Sequence, residues 1–175
     1  MYSIAWRYGL DFRDLARWNH IGPDFHIVVG QTLILTPAAA AAPAPPLKAL
    51  KPPPSTVSWA WPTDRMSAPQ PVSSGGILLP GRVGQDIRAA SSGRVVYNGS
   101  GIRGYGNLII IKHGENLLSA YAHTRESLVQ DGQEVALGQV IAHMGEGAPQ
   151  KPVLYFEIRR NGKPVDPLAF LPVIK

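Results

Sequence analysis

The chain contains no cysteine, which excludes disulfides, thiolate zinc sites and a cysteine nucleophile. It has no run of about 18 or more apolar residues, so the sequence predicts no membrane-spanning helix. Its formal charge is +5, but no lysine/arginine run concentrates that charge. We therefore expect no nucleic-acid binding. The sequence predicts no signal peptide in this chain, because Met1 leads directly into a helical pattern.

Three short apolar runs are the most prominent feature of residues 93–123. They are rich in β-branched or aromatic residues and are bounded by Gly, Asn or Glu, which predicts successive strands with tight turns. The middle run shows no polar alternation, so we expect both of its faces to be buried. The runs are Val95–Tyr97, Leu108–Ile111 and Leu117–Tyr121.

Further strands are predicted towards the C-terminus. Asn161–Gly162 between two of them is the strongest short signal for a hairpin with a type I′ turn. Together these patterns predict a mostly β, antiparallel domain. The additional strands are Gln133–Ala136, Gln139–Met144, Val153–Arg160 and Lys163–Val165.

The first 58 residues are organised differently. Residues 1–35 predict two short helices, Tyr2–Tyr8 and Phe12–Trp18, followed by the strand Thr32–Leu35. Gly9 is expected to end the first helix and Asp11 to cap the second. Residues 36–58 are rich in Pro and Ala and predict an extended, semi-rigid linker. A Gly30–Gln31 turn is expected before the strand.

Two resemblances follow from these residues. The phrases GRVVYNGSGIRGYGNLIIIKH, SAYAH and LYFEIRRNGKPVDPLAFLP resemble the lysostaphin-like (LytM) zinc metallopeptidase domain over residues 59–175. Trp61–Pro62 resembles that family's opening strand, and residues 63–75 are interpreted as a loop. Residues 1–35 resemble a small α+β LysM module without its first strand. The combination is similar to the NlpD-type murein hydrolase activators.

The resemblance also locates a degenerate metal site. Active LytM domains carry an HxxxD motif, a lone histidine and an HxH motif: the first His, the Asp and the last His bind one zinc, and the other two histidines handle protons at the metal-bound water. Four of the five corresponding positions carry other residues here, namely Ser74, Leu78, Val153 and Tyr155. The lone histidine, His123, is retained. Leucine and valine have no donor atom, and a tyrosine phenol of ordinary pKa near 10 binds metal only after losing its proton. We therefore expect no metal, no cofactor and no catalysis.

A rearranged histidine site is disfavoured by strand geometry. His113 and His123 are expected at the ends of successive antiparallel strands, so they should lie at opposite ends of this strand pair. His143 falls on a separate strand. His123 is then either a relic or a lining residue of the empty cleft.

The resemblance implies a function through binding. A periplasmic cell-wall amidase would dock in the cleft, and the domain would displace the helix that blocks the amidase. We expect the cleft to be lined by Tyr105, Asn107, His123, Tyr155 and Arg159. Tyr155 and Arg159 are four residues apart on one strand and should share a face. Packing in the core, or for Arg159 a solvated strand face, is the alternative.

Peptidoglycan is the second expected partner. The LysM resemblance places glycan contacts at Asn19, Ile21 and Ile27, although core packing and capping would equally explain these residues. NlpD-type proteins are periplasmic and anchored in the outer membrane, and we expect that location for the full-length precursor.

Two other functions remain as alternatives. A zinc metalloendopeptidase that cuts peptidoglycan cross-links would need the missing ligands. A lipoyl-type carrier domain would need a modified lysine at a hairpin tip. Here the tips are Asp131–Gly132 and Asn161–Gly162, and Lys163, which follows the second, is itself followed by Pro164.

Overall fold

The computed structural model describes residues 1–10, 12–22, 25–35, 57–64, 67–114, 116–147 and 151–173. The chain divides into two compact units, Met1–Thr56 and Val57–Lys175. Most of the predicted linker lies outside the described residues, as does the predicted helix cap Asp11. In the part of the chain that is described, no helix is both long enough and apolar enough to cross a bilayer.

The first unit contains the two predicted helices, α1 (Tyr2–Tyr8) and α2 (Phe12–Trp18). Gly9 adopts the left-handed conformation, with φ of 64°, and its N–H caps the end of α1 as expected. A small core holds the helices together around Leu15, which is fully buried. The rings of Tyr2 and Phe12 pack against each other at a centroid distance of 4.4 Å.

The predicted strand Thr32–Leu35 is wrong, because these residues join no β-ladder among the described residues. A strand needs a hydrogen-bonded neighbour, and no described residue of the first unit pairs with this segment in a ladder. The segment is held by one side chain instead: Asn19 Nδ2 donates to Ile34 O at 2.9 Å, and Asn19 Oδ1 accepts from Ile34 N at 2.6 Å. The preceding turn is centred on Val29 and Gly30, one residue earlier than expected.

The described residues of the second unit form a ten-stranded antiparallel sheet. The main path through it runs β1-β2-β9-β6-β5-β4-β7, with β10 paired to β9 and with β8 paired to both β6 and β3. The strands are β1 (Gln70–Pro71), β2 (Ile77–Pro80), β3 (Asp86–Arg88), β4 (Gly93–Gly99), β5 (Asn107–His113), β6 (Leu117–Ser127), β7 (Glu134–Val135), β8 (Val140–Met144), β9 (Val153–Arg160) and β10 (Lys163–Val165).

The central strands match their sequence patterns. The unbroken apolar run of β5 is fully buried from Leu108 to Ile111, so the prediction that both faces are covered is confirmed. The hairpin between β9 and β10 turns through Asn161 and Gly162 with φ of 52° and 77°. Positive φ at both positions is what a type I′ turn requires.

Predictions for the edges of this unit were less accurate. Trp61–Pro62 is not a strand; Ala60 N donates to Ala90 O and Arg88 N donates to Pro62 O, each outside a regular ladder. The predicted loop 63–75 contains the short strand β1. Neither β2 nor β3 was predicted, and only Glu134–Val135 of the predicted strand 133–136 is a strand. These edge strands span two to four residues, too few for alternation to mark them.

Candidate functional site

A cavity of about 230 Å³ opens on the second unit where three separate parts of the chain meet. The first is the turn before β2, the second is the glycine-rich loop before β5, and the third comprises the neighbouring strands β6 and β9. Because the lining residues come from positions far apart in sequence, only the folded sheet assembles the cavity. The lining residues are Ser74, Gly104, Tyr105, His123 and Tyr155.

Pairing of β2 with β9 places Tyr155 beneath the turn that carries Ser74. Leu78 is the register partner of Tyr155 across this ladder. Gly76 makes the close approach possible, since a Cβ at that position would lie 2.7 Å from Tyr155 Cζ. The ring of Tyr105 meets the ring of Tyr155 edge-on, at a centroid distance of 5.4 Å and an interplanar angle of 74°. The two rings therefore form an aromatic corner in the cavity wall.

His123 lies inside β6 and not at its end, contrary to the sequence-based expectation. Its φ is 63°, a conformation that is unfavourable for a residue with a side chain. The backbone is held there from both sides, because His123 N donates to Tyr105 O at 3.0 Å and His123 O accepts from Gly145 N at 2.9 Å. Partial burial lowers the pKa of the imidazole, which keeps the ring neutral near pH 7.

A chain of polar side chains runs from the cavity into the sheet. Ser74 Oγ lies 3.0 Å from the hydroxyl of Tyr155, which donates to Glu157 Oε2 at 2.8 Å. Arg159 Nε donates to the other carboxylate oxygen, Glu157 Oε1, at 2.7 Å. Tyr155, Glu157 and Arg159 alternate along β9 and so share one face of the sheet. Arg159 also contacts Gly162 O at 3.4 Å, which ties the chain to the β9–β10 turn.

Beyond Ser74, which is exposed at the rim, this polar chain is buried. Glu157 has no exposed surface and Arg159 is 7% exposed. Burial raises the pKa of Glu157, while the guanidinium of Arg159 opposes that rise. Burial and the neighbouring carboxylate raise the pKa of Tyr155 well above its ordinary value. Its phenol therefore remains protonated and available as a hydrogen-bond donor.

The residues expected to form a docking surface separate into two groups. Tyr105, His123 and Tyr155 line the cavity, whereas Asn107 and Arg159 do not. Asn107 is exposed, and its Nδ2 donates to the backbone oxygens of Thr124 and Arg125 across the β5–β6 ladder. The expectation that Arg159 is accessible on the strand face is wrong, because the pair with Glu157 buries it.

Of the remaining aligned positions, Leu78 is partly buried and Val153 is 8% exposed. Glu157 was missed by the sequence reasoning. The only signal for it was its position, midway between Tyr155 and Arg159 on the same face of a strongly apolar strand.

The other two histidines of this unit lie elsewhere in the sheet. His113 is 2% exposed, and its Nδ1 and Nε2 lie 2.7 Å from Ser92 O and 2.6 Å from Ser119 Oγ. Burial lowers the pKa of His113 to about 4. His143 Nδ1 lies 2.7 Å from Glu126 Oε1. These contacts account for both rings structurally.

A second depression, of about 310 Å³, lies farther along β6 than the cavity and is lined by none of the five aligned positions. It is adjacent to His123 in sequence, since Thr124 and Arg125 contribute to it. A substitution of Arg125 would therefore alter this depression and is unsuitable as a control for the cavity. The lining residues are Val83, Thr124, Arg125, Gly145 and Glu146.

In the first unit, the side chain of Asn19 is engaged in holding the fold. Besides its two bonds to Ile34, its Nδ2 donates to Leu15 O at 2.7 Å and so closes α2. Ile21 and Ile27 are both partly exposed. Their contact with glycan remains a prediction.

Comparison with known proteins identifies the family. Residues 72–167 match the profile of Peptidase family M23, and residues 1–36 match that of the LysM domain. A Pseudomonas aeruginosa relative, "Lipoprotein NlpD/LppB homolog", is 41% identical over 219 aligned positions that cover 98% of this chain and 74% of the relative. The chain belongs to the NlpD-type members of peptidase family M23.

Two further comparisons extend this assignment. The "Murein hydrolase activator NlpD" of Salmonella dublin is 35% identical over 98% of this chain, which spans 66% of that relative. The solved structure of the antimicrobial peptidase lysostaphin from Staphylococcus simulans superimposes with a TM-score of 0.53 at 26% identity, over 66% of this chain and 49% of lysostaphin. The M23 fold is therefore present in an NlpD-type chain.

The zinc of active M23 peptidases does not fit the residues of this cavity. At the aligned positions stand a serine hydroxyl, two aliphatic side chains and a phenol whose raised pKa keeps its proton. That proton is donated to Glu157, so the tyrosine oxygen offers no anionic ligand. Within the described ranges no three His, Cys, Asp or Glu side chains come together as a metal-binding group. The cavity of this NlpD-type domain has a lining of mixed aromatic and polar character.

Proposed function

We propose that this protein is a non-catalytic activator of a periplasmic N-acetylmuramoyl-L-alanine amidase, acting in peptidoglycan splitting during cell division. The observation that carries this proposal is that the Tyr155 hydroxyl, at a position that the sequence aligns with a metal ligand of active domains, is hydrogen-bonded to Ser74 and Glu157. The name of the Salmonella dublin relative, a murein hydrolase activator, supports the same function.

The size of the cavity limits how a partner engages it. Pockets that enclose a whole small-molecule ligand usually measure about 300–1,000 Å³. At about 230 Å³, this cavity accommodates one anchoring side chain and not an entire helix. The partner's helix would then lie across the mouth and insert a single residue. Interface energy typically concentrates in a few such buried anchors, each worth about 2 kcal/mol or more on truncation.

Docking at this mouth would act on the amidase by holding its blocking helix away from its active site. The cavity suits that task because its walls are fixed before the partner arrives. The backbone of His123 is bonded on both sides, and Tyr155 is bonded to Ser74 and Glu157. A preformed site loses less conformational entropy when it binds.

The LysM unit would supply wall binding through Ile21 and Ile27, with Asn19 holding the segments in place. Relatives named as lipoproteins, one of them "Outer membrane antigenic lipoprotein B" of Haemophilus influenzae, support a periplasmic location with an outer-membrane anchor. The wall would then concentrate the activator where the amidase works.

A dye-release assay on purified peptidoglycan tests the proposal. The protein alone is expected to release no dye, and it should accelerate release when a periplasmic amidase is added. Tyr105→Ala should lower amidase activation about tenfold at sub-saturating protein, because one ring of the aromatic corner that would contact the partner's side chain is lost. Leu137→Ala is the control, since Leu137 is 43% exposed and lies outside the cavity.

Two results would contradict the proposal. Release by the protein alone that a chelator abolishes would favour the zinc metalloendopeptidase. Equal activation by wild type and Tyr105→Ala would place amidase docking elsewhere. Tyr155→Ala and Arg159→Ala are unsuitable for this test, because both side chains are buried and hydrogen-bonded to Glu157 and their loss would destabilise the fold.

A further inference from the structure

The direction of the hydrogen bonds in the polar chain determines what the cavity offers to a ligand. Glu157 accepts from Arg159 Nε on one oxygen and from the Tyr155 hydroxyl on the other. The single phenolic proton of Tyr155 is used in that bond. The remaining contact, between Tyr155 and Ser74 at 3.0 Å, therefore requires the Ser74 hydroxyl to donate.

Ser74 is left with acceptor capacity only. Its proton points to Tyr155, and its oxygen retains a lone pair at the exposed rim of the cavity. The buried ion pair with Arg159 fixes this polarity, since the carboxylate of Glu157 cannot donate while it is ionised. A ligand that brings only acceptors would meet an unpaired lone pair at Ser74.

His123 adds a second acceptor. Within the described residues, its ring nitrogens have no hydrogen-bond partner, and the side chain lines the cavity. The lowered pKa keeps the imidazole neutral, so that one nitrogen donates and the other accepts. A neutral ring also removes the positive charge that would repel a cationic ligand.

The aromatic corner completes the environment. Tyr105 and Tyr155 meet edge-on at 5.4 Å, and both contribute to the wall. A cation within about 6 Å of such a ring is attracted by the negative face of its π system. Acceptors at the rim beside an aromatic wall therefore suit a side chain that carries positive charge and only N–H donors.

We propose that this cavity binds a guanidinium or ammonium side chain, an arginine or lysine, of the protein partner. This inference rests on the proposed function for the presence of such a partner, but the chemistry of the cavity can be tested without one. The ligand's N–H groups would bond to Ser74 Oγ and a His123 nitrogen, and its charge would lie against the tyrosine rings.

Ethylguanidinium chloride is a suitable probe, with sodium propionate as the acceptor-only counterpart. Amide chemical shifts of the full chain would be followed during titration at about 0.15 M salt, which weakens the contribution of exposed charges such as Arg103 in the loop before β5. We expect saturable shifts at Gly104, Tyr105 and His123 with ethylguanidinium, in the millimolar range, and none with propionate.

Two variants and a control identify the contacts. Ser74→Ala and Tyr105→Leu should each weaken ethylguanidinium binding by about threefold or more, as the loss of one charge-assisted or cation–π contact implies. Leu137→Ala should bind like wild type. Ser74 is exposed, so its variant tests the site even if Tyr105→Leu does not fold.

The inference is overturned if propionate binds as well as ethylguanidinium, if the shifts do not saturate, or if Ser74→Ala binds like wild type. The dye-release assay separates this result from the proposed function. Amidase activation without ethylguanidinium binding would overturn the cation site alone. Ethylguanidinium binding without activation of any amidase would support the site and overturn the activator function.

Discussion

Replacing Arg159 by Met should destabilise the second unit strongly, because it isolates a charge inside the sheet. Glu157 has no exposed surface, and Arg159 Nε is the only cationic donor bonded to it at hydrogen-bond distance among the described residues. Removing one partner of a buried ion pair typically costs about 3–5 kcal/mol. Methionine keeps most of the aliphatic volume, so this cost reflects the unpaired carboxylate more than a cavity.

The expected loss of stability is large relative to the total free energy of unfolding. Domains of this size unfold with a free energy of about 5–15 kcal/mol, so the variant should fold but with a small margin. For a unit of this length, about 4 °C per kcal/mol predicts a fall in melting temperature of about 12–20 °C. Urea denaturation of the full chain, with hydrogen exchange of the β6 amides to report on the second unit, would measure the change.

Three comparisons isolate the charge effect. Arg82→Met, at an exposed loop position, should change stability by less than about 0.5 kcal/mol. Glu157→Gln combined with Arg159→Met should recover part of the loss, since no buried charge remains. Lowering the pH to about 5 should also reduce the difference in unfolding free energy between Arg159→Met and wild type. The reason is that Glu157, with its raised pKa and without its cationic partner, takes up a proton in the variant. Equal stability of Arg159→Met and Arg82→Met, or a gap that does not change with pH, would refute the reasoning.

Three further predictions concern the stability of the second unit. Burial lowers the pKa of His113 from 6.5 in the unfolded chain to about 4, so the unfolded state binds a proton first as the pH falls. The free energy of unfolding should therefore fall by up to about 3 kcal/mol between pH 7 and pH 4, and the raised pKa of Glu157 should partly offset this loss. Urea titrations of His113→Gln should show a weaker pH dependence than those of wild type. Gly93→Ala should cost about 1–3 kcal/mol of stability, because its Cβ would collide with the carbonyl oxygen of Lys112. Gly99→Ala should cost less, since its Cβ would lie 3.3 Å from the Tyr97 hydroxyl. Equal melting temperatures of the two variants would show that this packing argument is wrong. Residues 57–175 expressed alone should melt within a few degrees of the second unit in the full chain, and an insoluble fragment would place the domain boundary elsewhere.

The sequence by itself determined the parts of the fold that depend on local chemistry. An unbroken apolar run predicted β5, and the Asn161–Gly162 turn defined the β9–β10 hairpin, because these signals act within a few residues. The sequence also predicted that Tyr155 and Val153 stand at positions of a degenerate peptidase site, since the LYFEIR phrase lies next to that hairpin; of the two, Tyr155 lines the cavity. The absence of suitable donor atoms at those positions needed no coordinates.

Only the tertiary structure decided which polar side chains are accessible. Strand alternation showed that Tyr155 and Arg159 share a face, but the same pattern describes a face covered by protein and one open to water. Glu157 and the packing around β9 bury Arg159, whereas Tyr155 borders the cavity. Likewise, Thr32–Leu35 has the composition of a strand but pairs with no other segment among the described residues. Burial and strand pairing depend on residues far away in sequence, so they exist only once the chain has folded.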